Sequence, residues 1–342
     1  MTIQQRIEDQ RERIESSLVH LIDGDYIFID LPYYSNIGDT LIWKGTETFL
    51  SRLPYKCLGR ASFQTFQFPE LSEKVLILMM GGGNWGDLYA PHNQLRKKVV
   101  THYPKNRIII LPQTVYYEGA RAARNDANVF RRHNNLIICA RDKYSYNFLK
   151  FWAFSKEILL LPDMAFCINT DELKKMEKSS ISRDLLFQRV DKEKTNAIQI
   201  ASSLVKGKYD TSDWPLYEGN DPKLSTLYDN IHQRAFEEAD IFAIQVYMPN
   251  RVKEGVELIS QYDRIFSNRL HGAILSILLH KKVYIIDNSY GKNHQYFNTW
   301  LKNTENISYI ATKHKFRPRR KIRFLLFWMI SLLDRIKNRR NN

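Results

Sequence analysis

Residues 262–279 read YDRIFSNRLHGAILSILL, a short run with apolar residues that leads into a longer apolar segment. Residues 264–267 of this stretch predict a β-strand, and residues 270–280 predict a helix. A strand that passes almost directly into a helix is half of a βαβ unit. The stretch therefore indicates an α/β fold built on a parallel sheet.

The same alternation of strands and helices extends through most of the chain. Other strands are predicted at residues 26–31, 75–80, 107–111, 136–140, 158–161, 197–202, 241–247 and 283–287. Other helices are predicted at residues 4–21, 39–51, 92–102, 118–133, 143–152, 224–239, 252–261 and 294–302. We therefore expect an α/β protein with two Rossmann-like, doubly wound domains that face each other across a cleft.

The predicted domain boundaries follow the breaks in this alternation. They are an N-terminal helix within residues 1–23, a first Rossmann-like domain at 24–168, a linker at 169–194, a second domain at 195–312 and a basic tail at 313–342. The linker is predicted because its residues are charged and give few strand signals.

The positive charge of the chain is concentrated in the basic tail. The 342 residues include 51 Lys and Arg against 37 Asp and Glu, a net charge of +14, and the tail alone holds eleven basic residues against one acidic residue. The remaining chain has too little excess charge for a nucleic-acid-binding body, so no nucleic acid is expected as a partner. Residues 324–333 of the tail are uncharged, which predicts a basic amphipathic helix on an anionic membrane surface. The alternative is a C-terminal helix that packs on the domain core.

Other sequence features indicate a reducing compartment. Cys57, Cys139 and Cys167 show no CxxC spacing, so neither a disulfide framework nor a zinc site is expected. Residues 1–15 are polar and lack the apolar core of a secretory signal. We expect a cytoplasmic protein that is peripheral on the inner face of the membrane.

Several chemistry-bearing side chains directly follow predicted strands, where ligands bind in α/β sheets. Gly81, Arg141, Asp163 and His271 occupy such positions. A fixed cation at Arg269 and an imidazole at His271 suit an anionic substrate that needs a proton moved, since a helix begins here. The other histidines, such as His20, His92, His280 and His314, lack ligand-like spacing and are predicted to be surface or packing residues without a metal.

Four features of the sequence have both a ligand-binding and a structural interpretation. The sequence Gly81-Gly82-Gly83-Asn84 lets a backbone approach an anion closely, although it is neither a GxGxxG nor a Walker motif, and it can equally be a tight turn. Asp39, three residues after Asn36, either caps a helix or contacts an acceptor hydroxyl. The pair Arg141-Asp142 is an anion site or an ordinary ion pair or cap, and Asp163 is equally ambiguous.

The order of these motifs resembles the polysaccharide pyruvyltransferase family. The resemblance spans about residues 30–292 and depends on segments 36–39, 81–84, 140–145, 161–163, 268–271 and 287–292. It implies a GT-B-like pair of Rossmann-type domains. It also implies transfer of pyruvate from phosphoenolpyruvate, as a ketal, onto a sugar of a cell-surface polysaccharide or its lipid-linked precursor, without a cofactor.

The resemblance also suggests a role for each site residue. Arg269 would clamp phosphoenolpyruvate, with Arg141 or Lys292 as further cations and with Asn36 and the 81–84 segment (Gly81, Gly82, Gly83, Asn84) as further binding residues. His271 would give a proton to C3 or hold the departing phosphate. Asp39 or Asp163 would orient or deprotonate the sugar hydroxyl, and the sequence does not choose between them.

Two alternative functions fit the same sequence. One is a GT-B glycosyltransferase that uses a nucleotide-sugar donor, since two facing Rossmann-like domains also serve that chemistry. The other is a non-enzymatic protein whose basic tail binds nucleic acid or another acidic polymer.

Overall fold

The structure is a computed structural model that describes residues 1–189, 202, 205, 207–215, 240–288 and 291–311. Within these ranges the chain forms two parallel sheets. The first sheet contains β1 (Tyr26–Ile29), β2 (Cys57–Ala61), β3 (Leu76–Met79), β4 (Gly82–Gly86), β5 (Ile108–Tyr116), β6 (Leu136–Ala140) and β7 (Glu157–Leu160). The second contains β8 (Asp184–Phe187), β9 (Tyr209–Ser212), β10 (Arg264–Ser267), β11 (Lys282–Ile286) and β12 (Ile307–Ile310).

Nine described helices surround and separate the sheets. They are α1 (Ile3–Leu18), α2 (Ile37–Leu50), α3 (Ala90–His102), α4 (Ala120–Phe130), α5 (Lys143–Trp152), α6 (Thr170–Lys174), α7 (Met248–Ser260), α8 (Leu270–Leu278) and α9 (Lys292–Tyr296). A 3₁₀ turn at Met164–Cys167 and π-helical turns at Ala243–Tyr247 and Phe297–Leu301 complete the described helical structure.

The two sheets share one strand topology. The first has the order β2-β1-β3-β5-β6-β7 with β4 paired to β5, and the described strands of the second have the order β9-β8-β10-β11-β12. In each sheet the strand that comes first in the chain lies between the next two: β1 lies between β2 and β3, and β8 lies between β9 and β10. The direction of winding therefore reverses between β1 and β3, and again between β8 and β10. Ligands bind at such reversal points, outside the carboxyl ends of the strands.

A shared apolar core holds the sheets together. In β1, Ile27 and Ile29 contribute to one buried cluster, whereas Tyr26 and Phe28 contribute to another. The second cluster continues through α2, α7 and α8 into the second sheet, where it includes Ile265. Alternate residues of a strand point to opposite faces, which explains the division. Because one core spans both halves, the carboxyl ends of their strands are held in a fixed relation.

The close approach of α2 to the 3₁₀ turn depends on a glycine. A β-carbon built on Gly45 would lie 2.0 Å from the carbonyl oxygen of Met164, a distance that no side chain tolerates. This contact fixes the turn that directly follows Asp163.

Two predictions from the sequence are wrong. Residues 241–247 were expected to form a strand, but they are helical and lead into α7. In this run Ile241 and Val246 are exposed while Ala243 and Tyr247 are buried, a spacing typical of a helix rather than a strand. The predicted linker at 169–194 contains β8, so the second sheet begins at Asp184.

Other predicted elements cannot be compared with the structure. The predicted strand at 197–202, except for residue 202, the predicted helix at 224–239 and the basic tail at 313–342 lie outside the described residues. The three cysteines are free, as expected. No helix within the described ranges combines the length and apolar character that a membrane crossing requires.

Candidate functional site

The carboxyl ends of strands from both sheets surround a cavity of about 330 Å³. Tyr34, Asn36 and Asp39 follow β1, Phe63 and Gln64 follow β2, Gly83 and Asn84 follow β3, and Tyr89 and His92 follow β4. Arg141 follows β6, Arg189 follows β8, Trp214 follows β9, Arg269, Leu270 and His271 follow β10, and Lys292 follows β11. The cavity therefore includes the reversal points of both sheets.

One wall of the cavity contains an ion cluster that joins the two halves of the protein. The Oδ2 atom of Asp163 lies 2.6 Å from Nη1 of Arg141 and 3.1 Å from Nε2 of His271. The Arg141 Nη1 atom is itself 3.4 Å from His271 Nε2. Asp163 is 1% exposed, so this carboxylate is reached through its partners and not from solvent.

The environment of Asp163 favours its ionised form. Burial alone would raise the pKa of this carboxyl, but His271 and Arg141 outweigh burial and hold the pKa well below its ordinary value. Burial likewise opposes the charged form of Arg141, and Asp163 outweighs that effect, so the pKa of Arg141 is raised. Both charges are therefore maintained at neutral pH.

Backbone and side-chain contacts fix the cluster in place. Asp163 caps the 3₁₀ turn by accepting a hydrogen bond from the Ala165 amide at 3.0 Å, and its own amide donates to the Tyr296 hydroxyl at 3.1 Å. The Nε atom of Arg141 donates to Thr114 at 3.2 Å. The indole of Trp300 donates to the Arg141 carbonyl at 2.7 Å. The cluster is rigid because each of these partners is buried or nearly so.

A glycine separates two cations beside the cluster. A β-carbon built on Gly83 would lie 3.1 Å from Arg141 Nη2 and 3.5 Å from Lys292 Nζ. The missing side chain thus leaves space between these charges. Among the described residues that line the cavity, four are Arg or Lys and one, Asp39, is a carboxylate. This charge balance suits an anionic ligand.

Arg269 lines the cavity but is engaged by another residue. Its Nη2 atom donates to Asp213 Oδ2 at 2.7 Å, and its Nε atom donates to Asp213 Oδ1, so the pair is bidentate. The guanidinium edge that was expected to clamp an anion therefore holds a carboxylate of the chain itself. Arg269 remains a predicted binding residue, and no sequence signal indicates its partner Asp213.

The cap geometry shows that neither Asp39 nor Arg141 caps a helix, and their contacts with a ligand stay predictions. Asn36 caps α2 by accepting a hydrogen bond from the Gly38 amide at 3.0 Å, so Asp39 is not the cap. Asp39 Oδ2 instead accepts from Asn36 Nδ2 at 2.8 Å and from the Tyr34 hydroxyl at 3.0 Å. Similarly, Asp142 caps α5, and Arg141 pairs with Asp163 rather than with its sequence neighbour.

The glycine-rich segment is a strand and not a turn. Residues Gly82–Gly86 form β4, which pairs with β5. Of the segment, Gly83 and Asn84 line the cavity, whereas Gly81 and Gly82 do not. A β-carbon on Gly81 would lie 2.8 Å from the Pro112 carbonyl oxygen, and Gly82 has φ of +135°. Packing and backbone conformation give a structural reason for these two glycines, and their contact with a ligand stays a prediction.

His92 is buried and packed, one of the two roles expected for it, and it also belongs to the cavity wall. Its ring lies 4.6 Å from that of Phe63 between centroids, and its Nδ1 atom is 2.6 Å from Asp30 Oδ1. Asp30 directly follows β1, a position that indicates a possible site residue. His92 is an isolated histidine, and nothing in the sequence marks it as a site residue. Across the described parts of the chain, no group of three or more His, Cys, Asp or Glu residues is arranged as a metal site.

Comparison with known proteins identifies the family. A family model described as polysaccharide pyruvyl transferase matches residues 36–290. EpsO of Bacillus subtilis (strain 168), which is named as a pyruvyl transferase, is 34% identical over 289 residues that cover 82% of this chain and 86% of EpsO. Pyruvyl transferase 1 of Schizosaccharomyces pombe is 27% identical over 293 residues, which cover 80% of this chain and 69% of that protein.

A solved structure shows the same fold. The crystal structure of a functional uncharacterized protein from Klebsiella pneumoniae matches with a TM-score of 0.61 and 20% identity, covering 89% of this chain and 99% of that chain. At this identity the likeness shows the fold alone, a mixed α/β architecture with parallel, Rossmann-like sheets. Together with the family model and the relatives, it leads to one conclusion: the chain is an enzyme that belongs to the polysaccharide pyruvyl transferase family.

Proposed function

We propose that this enzyme transfers pyruvate from phosphoenolpyruvate to two hydroxyls of one sugar, forming a ketal on a polysaccharide or on its lipid-linked precursor. The observation that carries the proposal is the Arg141–Asp163–His271 cluster next to Lys292. It combines fixed cations with an imidazole at one end of the cavity.

The charge of phosphoenolpyruvate matches this end of the cavity. The donor has a carboxylate and a phosphate, and both groups are bound well by guanidinium and ammonium groups. Arg141 and Lys292 flank the space above Gly83, so an anion placed there would contact both cations. Arg189, which is 6% exposed and also lines the cavity, would add a third positive charge.

Ketal formation from phosphoenolpyruvate requires two additions. In the first, a sugar hydroxyl oxygen bonds to C2 while a proton is added to C3, which gives a methyl group. In the second, the C2–oxygen bond to phosphate breaks, and a neighbouring hydroxyl of the sugar adds to the oxocarbenium-like centre. One hydroxyl proton ends in the methyl group and the other on the released phosphate, so no further reactant is needed.

His271 would supply the proton for C3. Its Nε2 atom lies near both Asp163 and Arg141, and the residue lines the cavity. Histidine is the side chain that most often acts as a general acid or base. The buried Asp163 would orient His271 and Arg141 and would not meet the sugar itself.

Asp39 is the better candidate for contact with the acceptor. It lines the cavity, whereas Asp163 does not. Two donors, Tyr34 and Asn36, already orient its Oδ2 atom. Burial and the nearby Asp39 raise the pKa of Tyr34 well above its ordinary value, so this hydroxyl stays protonated and donates. Asp39 would then orient a sugar hydroxyl by accepting its hydrogen bond.

The basic tail would bring the cavity to a lipid-linked acceptor. This part of the proposal depends on the sequence of residues 313–342 alone. Each basic residue near an anionic surface adds about 1 kcal/mol of attraction. A cytoplasmic enzyme attached in this way to the inner membrane face would meet a sugar carried on a polyprenyl diphosphate.

The experiment that tests the proposal is phosphate release from phosphoenolpyruvate in the presence of a panel of glycosides. We expect release that depends on an acceptor, together with an increase in melting temperature on addition of phosphoenolpyruvate alone. Stabilisation by nucleoside diphosphates, with none by phosphoenolpyruvate, would instead favour a nucleotide-sugar glycosyltransferase and would contradict the proposal.

A further inference from the structure

We propose that His92 is a second proton-transfer residue, the general base that accepts the proton of the attacking sugar hydroxyl. This inference rests on the proposed function, because it assigns a role within that reaction. It is carried by a second buried Arg–Asp–His cluster that reaches the same cavity.

Asp30 holds the ring of His92 from one side. The Asp30 carboxylate directly follows β1 and is 1% exposed. Its Oδ1 atom lies 2.6 Å from His92 Nδ1, and its Oδ2 atom lies 2.7 Å from Arg96 Nη2. A carboxylate accepts hydrogen bonds, so Nδ1 donates to Asp30, and in the neutral ring the lone pair is on Nε2. His92 lines the cavity, and no hydrogen bond joins its Nε2 atom to another described residue.

Arg96 supplies the charge that Asp30 requires. Its side chain is fully buried, and it also donates to the Asn84 side chain at 2.7 Å and to the Asn84 carbonyl at 3.2 Å. Because Arg96 already balances the Asp30 carboxylate, His92 need not be charged for the cluster to be neutral. A neutral imidazole fixed in one tautomer by a carboxylate is the form required of a general base.

The two clusters have the same composition but different surroundings. In each, a buried aspartate that follows a strand of the first sheet bridges a buried arginine and a histidine of the cavity wall. His271 lies among the cations. His92 lies beside aromatic rings, with Phe63 at 4.6 Å and Tyr34 at 6.1 Å between centroids. Aromatic faces pack against the apolar face of a sugar ring, so this end of the cavity fits the acceptor.

Addition across the C2–C3 double bond needs proton transfer at two separate atoms. The hydroxyl oxygen that bonds to C2 must lose a proton, which passes to His92 Nε2, while C3 receives a proton from His271. In the second addition the other hydroxyl gives its proton to His271, and phosphate leaves with the proton held by His92. Both imidazoles then return to their starting states, and the reaction needs no outside acid or base.

The substitution His92→Asn separates this role from a structural one. The asparagine amide keeps a donor near the position of Nδ1 for Asp30, but it has no basic nitrogen at Nε2. We expect kcat for phosphate release from phosphoenolpyruvate, measured with the most active methyl glycoside of a panel, to fall about 10²–10⁴-fold. The increase in melting temperature caused by phosphoenolpyruvate should not change, because the donor binds at the other cluster.

Two further variants complete the test. His102→Asn is the matched control, since His102 is exposed on the same helix, and it should retain the wild-type rate. His92→Gln is a second variant without a basic nitrogen, in case His92→Asn does not fold. A rate near that of the wild type in either folded His92 variant would overturn the assignment to His92 alone. Absence of phosphate release by the wild type would overturn the proposed function, and this inference with it.

Discussion

Substitution of Asp163 by Asn tests both the stability and the chemistry of the first ion cluster. The change removes the negative charge shared by Arg141 and His271, whose nitrogen atoms lie 2.6 and 3.1 Å from Asp163 Oδ2. It leaves the Arg141 charge buried without its partner, since both side chains are 1% exposed. Removing one partner of such a pair costs 3–5 kcal/mol, and because Asn keeps the volume and the cap to Ala165, we expect about 3 kcal/mol. Turnover should fall at least about 10²-fold as His271 loses its orienting acceptor.

Urea unfolding followed by circular dichroism measures the first effect, and phosphate release measures the second. Asp184→Asn is the matched control because Asp184 also binds an arginine bidentately, with Arg264 at 2.6 and 2.8 Å, but does not line the cavity. Arg264 is about one third exposed, so we expect that variant to lose about 1 kcal/mol and to keep its kcat. Wild-type stability and turnover in the Asp163→Asn enzyme would show that Asp163 neither balances the buried Arg141 charge nor orients His271.

Three other predictions concern the cavity, acid stability and the tail. Gly83→Ala should weaken binding of phosphoenolpyruvate, measured by thermal-shift titration, because its β-carbon would fill the space between two cations; Gly119→Ala, where nothing lies within 4 Å, should not. The pKa of Asp163 is held below its ordinary value of 3.8, so its ionised carboxylate stabilises the fold above that pH. The difference in unfolding free energy between wild type and Asp163→Asn, measured by urea unfolding, should therefore persist at higher pH and shrink as pH falls below 3.8. A chain truncated at Ala311 should sediment less with anionic liposomes than the full chain, and equal partition of the two would contradict the proposed membrane contact.

The sequence predicts the elements whose hydrophobic pattern is clear. The strand at residues 264–267 and the strand at 136–140 have the predicted bounds, because each is a short apolar run next to a well-marked helix. The strand predicted at 241–247 is wrong, since a short and mostly apolar run fits a helix or a strand and only packing decides between them. Strand β8 was missed because its neighbours along the chain are charged, although its own four residues are buried.

The sequence predicts those site residues that directly follow a strand. Arg141, Asp163 and His271 each follow a strand, and the structure brings these three together. Their pairing was not predictable, because the aspartate and the histidine are 108 positions apart in the chain. His92 was missed for a similar reason, since its significance depends on Asp30, 62 residues earlier.

The proposed reaction depends on His271, which would give a proton to C3 of phosphoenolpyruvate while the cations of the cavity hold the donor. The most direct test compares wild type and His271→Ala in one incubation with phosphoenolpyruvate and glycosides, following phosphate release and the mass of each glycoside. We predict that the wild type releases phosphate and adds the mass of a pyruvate ketal to one acceptor, and that the folded variant is slower by about 10²–10⁴-fold. Near-wild-type rates in the variant, or phosphate release without any ketal, would contradict the account.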